Sequence, residues 1–69
     1  MEGILITFHT ASEALKFEEI CPFPGKLVPL PAKVKSGCGW AWLSDVSLKY
    51  ELLDFIQEIN GQYETIVEL

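Results

Sequence analysis

The run Ile4-Leu5-Ile6-Thr7-Phe8-His9-Thr10-Ala11-Ser12-Glu13 decides the fold, because it holds a strand, a turn and a helix start in immediate succession. Ile4 to Phe8 is a short apolar, β-rich run, as expected of a strand in the middle of a sheet. Thr10-Ala11-Ser12-Glu13 matches a capping box, in which the Thr10 hydroxyl and the Glu13 carboxylate satisfy each other's backbone N–H groups. Ala14, Phe17, Ile20 and Cys21 follow at spacings of three and four, one apolar helix face, with Lys16, Glu18 and Glu19 elsewhere. Pro22 and Pro24 end that helix, since proline has no N–H to continue the ladder.

Working outward, Lys26 to Leu30 reads as a second strand, placed at a sheet edge by Pro29. Pro31 to Gly37 is a loop, and Trp40 to Leu43 a third strand. Ser44, Asp45 and Ser47 offer N-caps for a second helix whose apolar face is Leu48, Leu52, Phe55, Ile56 and Ile59. Asn60-Gly61 stops it, and Tyr63 to Leu69 closes the chain as a strand. The order β-α-β-β-α-β is that of the α+β ferredoxin-like sandwich, a four-stranded antiparallel sheet with two helices on one face. The expectation is a single domain over residues 1–69, with the first and third strands central.

The 69 residues are 49% hydrophobic, too apolar for a disordered chain, and carry a net charge of −5. There is no arginine, which argues against a general nucleic-acid binder resting on phosphate neutralisation. No apolar run approaches the roughly 20 residues of a membrane span, and two scattered cysteines fit a reducing compartment, so the expected location is the cytoplasm. One stretch differs in charge. From Ile20 to Ser44 there are three lysines, Lys26, Lys33 and Lys35, and no acid, whereas all ten acids lie outside it.

That stretch contains Ser36-Gly37-Cys38-Gly39. Ammonium groups and unhindered backbone N–H groups stabilise a thiolate, which makes Cys38 the candidate nucleophile or carrier thiol. Ser36, Gly37 and Gly39 would form the loop that presents the sulfur, and Lys33 and Lys35 would stabilise its anion. In the expected topology the end of strand 1 lies beside the start of strand 3, so His9, Thr10 and the positive end of the first helix come near Cys38. The alternative is a plain turn whose cysteine is a small apolar filler. Cys21 falls at the far end of the first helix, too distant for a disulfide with Cys38. Cys21-Pro22-Phe23-Pro24 matches the Cys-Pro-x-Pro motif of small sulfur-relay carriers, but that motif opens a helix and this one closes it. Two cysteines and one histidine do not supply a zinc site, and no phosphate loop is present, so neither metal nor cofactor is expected.

The Ile4-Leu5-Ile6-Thr7-Phe8 strand, the Thr10/Ser12/Ala14-Leu15 helix start, the Leu27-Val28-Pro29-Leu30-Pro31 strand and Ser36-x-Cys38-Gly39 together resemble a family of short bacterial proteins described as selenium/sulfur carrier-like. The resemblance implies that Cys38 holds sulfur or selenium as a persulfide or perselenide and passes it on. Donor and acceptor proteins would be the partners, and the chain would be a carrier more than a turnover enzyme. A second function class is an interaction or homodimerisation module. Trp40 and Trp42, two apart on one strand, share a face, and on the open side of the sheet they would form an apolar patch. The alternative is that this face packs under the helices. Stacking of RNA bases on the same aromatics is opposed by the acidic charge.

Overall fold

The computed structural model describes residues 3–30, 39–58 and 63–69. Strand β1 (Ile4–Thr7) leads to helix α1 (Ala11–Ile20), strand β2 (Lys26–Pro29), strand β3 (Trp40–Ser44), helix α2 (Lys49–Glu58) and strand β4 (Thr65–Glu68). The strands form one antiparallel sheet in the order β2-β3-β1-β4. This is the ferredoxin-like α+β arrangement. β1 and β3 are central, and Pro29 does sit on an edge strand, opposite Trp40.

Alternation along the strands assigns the two faces. Ile4, Ile6 and Phe8 of the β1 segment join Trp42, Ala14, Phe17, Leu52 and Ile56 in the core beneath the helices. Phe17 is its centre, with ring centroids 5.5 Å from both Phe8 and Trp42 and 5.9 Å from Phe55. Leu5 and Thr7 point the other way and are buried too, as is Ala41 beside Thr7. Every residue of β1 is therefore closed to solvent, which accounts for its lack of charged residues, and the one polar side chain, Thr7, bonds to the Thr65 backbone.

The helix ends show how local chemistry sets the boundaries. Thr10 is the N-cap of α1 and its Oγ1 accepts from Glu13 N at 3.2 Å. The return half of the expected box falls one residue earlier, since Glu13 Oε1 accepts from His9 N at 2.9 Å. At the other end Cys21 N still donates to the Phe17 carbonyl before the prolines end the helix. Ile20, expected on the buried face, is 42% exposed, because the packed stripe runs through Ala14 and Phe17 to Cys21 and leaves Ile20 to one side. A 3₁₀ turn over Val46–Leu48 precedes α2, with Asp45 capping Ser47 N. Leu52 and Ile56 of α2 are buried, with Leu48 and Phe55 partly so. Ile59 and the Asn60-Gly61 stop lie outside the described residues.

The tryptophans do not form a patch on the open face. Ile6 pairs with Trp42, so Trp42 points toward the helices and is 4% exposed. Its Nε1 donates to Ser44 Oγ, which reaches the Pro24 carbonyl. Trp40 shares that helix-facing side, lying beside Ala11 and Leu15 of α1, and is 46% exposed. The interaction module drawn on an open-face Trp40/Trp42 pair is thereby corrected. Strand order places β3 inside the sheet, and register puts both indoles on the packed face.

Candidate functional site

Ser36, Gly37, Cys38, Lys33 and Lys35 lie outside the described residues, whereas Gly39, His9 and Thr10 lie within them. The framework on which Cys38 is mounted is therefore definable from its flanks. Leu30 N donates to the Gly39 carbonyl at 3.1 Å, one step beyond the Pro29–Trp40 pair. This bond closes the connection between β2 and β3 and fixes where the chain re-enters the sheet directly after Cys38.

Gly39 has φ +76°, a left-handed conformation that residues with a side chain rarely adopt. Among the described residues a Cβ placed there meets nothing within 4 Å. The backbone conformation by itself requires glycine. The left-handed residue turns the chain immediately after the cysteine.

His9 and Thr10 belong to the same end of the sheet. β1 and β3 pair as far as Thr7 with Ala41, and two further residues along each strand bring His9 to the level of Gly39. Thr10 then begins α1. The register thus puts His9, Thr10 and the start of α1 at the end of the sheet that holds Gly39, while Cys38 itself lies outside the described residues.

The electrostatics at that end are more balanced than three converging cationic features. Glu13 Oε1 is 3.4 Å from His9 Nδ1 and also accepts from His9 N, so a carboxylate already sits at the N-terminus of α1. It offsets the positive end of the helix macrodipole that would otherwise act on a nearby thiolate. The His9 side chain is 60% exposed. Its ring is held by its own helix start, within reach of solvent.

Cys21 sits at the opposite end of the sheet, where α1 finishes and β2 begins. It packs against the core, its Sγ lies 3.9 Å from the Phe23 carbonyl, and burial pushes its thiol up from the usual range. A raised pKa leaves less thiolate at neutral pH. The Cys-Pro-x-Pro resemblance accordingly falls on a thiol that closes a helix and whose pKa burial raises.

Among the described residues two recesses bear on the site. The larger, about 540 Å³, opens at the Cys21 end among Gly3, Pro24, Gly25, Leu43 and Ser44. The smaller, about 220 Å³, is lined by Ala11, Ala14, Leu15, Leu27 and Trp40 and adjoins the Gly39 end. Leu15 received no role from the helix periodicity. Its position outside the Ala14–Phe17–Cys21 stripe was the sequence signal for this second apolar surface. Among the described residues no group of three or more His, Cys, Asp or Glu is placed to hold a metal, and no helix is long and apolar enough to cross a membrane.

No curated protein and no solved structure matches the chain. A family model does match, over residues 3–68. That span takes in both helices, all four strands and the connection bearing Cys38, and the chain belongs to the family described as "Putative Se/S carrier protein-like".

Proposed function

We propose that the protein is a sulfur or selenium carrier that holds the chalcogen on Cys38 as a persulfide or perselenide and delivers it to an acceptor protein. The family match over residues 3–68 carries this reading. The left-handed turn at Gly39 immediately after the cysteine supports it, because it redirects the chain at the carrier thiol.

Loading is a thiol–persulfide exchange. The Cys38 thiolate attacks the outer sulfur of a donor R–S–SH, a new S–S bond forms on Cys38, the donor S–S bond breaks, and R–S⁻ leaves with its electron pair. The selenium version breaks the donor's S–Se bond in the same way. Delivery repeats the exchange onto an acceptor thiol, so no external oxidant or reductant enters. Lys33 and Lys35 stabilise the Cys38 anion, with Ser36 and Gly37 completing the presenting loop. His9 and Thr10 frame the site from the turn between β1 and α1.

The pH dependence of Cys38 alkylation in a Cys21→Ala background tests the thiolate requirement. A midpoint clearly below the unperturbed value of about 8.5 supports a poised carrier thiol. A midpoint at or above it contradicts one. Binding without chemistry, including homodimerisation, has lost its open-face tryptophans as a basis.

A further inference from the structure

We draw no further inference here: the strongest candidate, the sheet face turned away from the helices, on which Leu5, Thr7 and Ala41 are closed to solvent, carries none because nothing among the described residues shows what covers it.

Discussion

Trp42 Nε1 and Ser44 Oγ lie 2.8 Å apart, and the same hydroxyl reaches the Pro24 carbonyl at 2.8 Å. One serine thus satisfies a buried indole and ties β3 to the turn after α1. Ser44→Ala leaves both groups without a partner and is expected to cost about 1–3 kcal/mol, the penalty for orphaned buried polar groups. Chemical denaturation with tryptophan fluorescence measures it. The emission of folded Trp42 should change as well.

Gly25 is the position where glycine is a packing requirement. A Cβ there would lie 2.5 Å from Ser44 Oγ, 2.7 Å from the Leu43 carbonyl oxygen and 2.7 Å from Trp42 Cε2. The carbonyl cannot move without breaking the sheet, so Gly25→Ala should destabilise by about 1–3 kcal/mol. Gly39→Ala differs in kind. It meets no atom among the described residues, and the left-handed backbone costs roughly 1 kcal/mol. A double variant of the two should be nearly additive, because the sites lie at opposite ends of β3.

The helix start offers a third measurement. Thr10→Ala removes the acceptor for Glu13 N and should lower stability by about 1 kcal/mol. Glu13→Gln keeps much of the bond to His9 N but removes the negative charge at the α1 N-terminus. If that carboxylate opposes the Cys38 thiolate, the alkylation midpoint of Cys38 should fall in Glu13→Gln. An unchanged midpoint would show that Glu13 is too distant to act.

Cys21 should alkylate more slowly than an unfolded cysteine at neutral pH, with a profile displaced upward, because burial raises its thiol pKa. By linkage, a raised folded-state pKa contributes stability that is complete below the unfolded pKa and lost as pH rises through the folded value. Cys21→Ala should remove that part of the alkaline decline in stability, which a denaturation series from neutral to alkaline pH reads directly.

The fold was legible because each local signal had one reading. Uniform burial of β1 demanded a central strand, Pro29 demanded an edge, and both agree with the observed order. Register was not legible. The two-residue period placed Trp40 and Trp42 on one face, yet the choice of face depended on the pairing of Ile6 with Trp42, a contact between residues distant in sequence. The capping box was read correctly in type, but its carboxylate reaches His9, since the side chain can select either neighbouring N–H. Of the candidate site, the order of the elements indicated only which end of the sheet carries His9, Thr10 and Gly39, and Lys33, Lys35, Ser36, Gly37 and Cys38 lie outside the described residues. It did not show that Glu13 already occupies that helix terminus, nor that Leu15 and Trp40 share a groove, because both arise from side-chain placement in three dimensions.

The most direct measurement is the intact mass of the Cys21→Ala protein after incubation with a persulfide or perselenide donor, removal of the donor and comparison with Cys38→Ser. The expected result is an added mass of about 32 Da for sulfur or about 80 Da for selenium, present with Cys38, absent without it, and lost on transfer to an acceptor thiol. A protein that acquires no such mass, or acquires it equally in Cys38→Ser, would contradict the assignment of Cys38 as the carrier thiol.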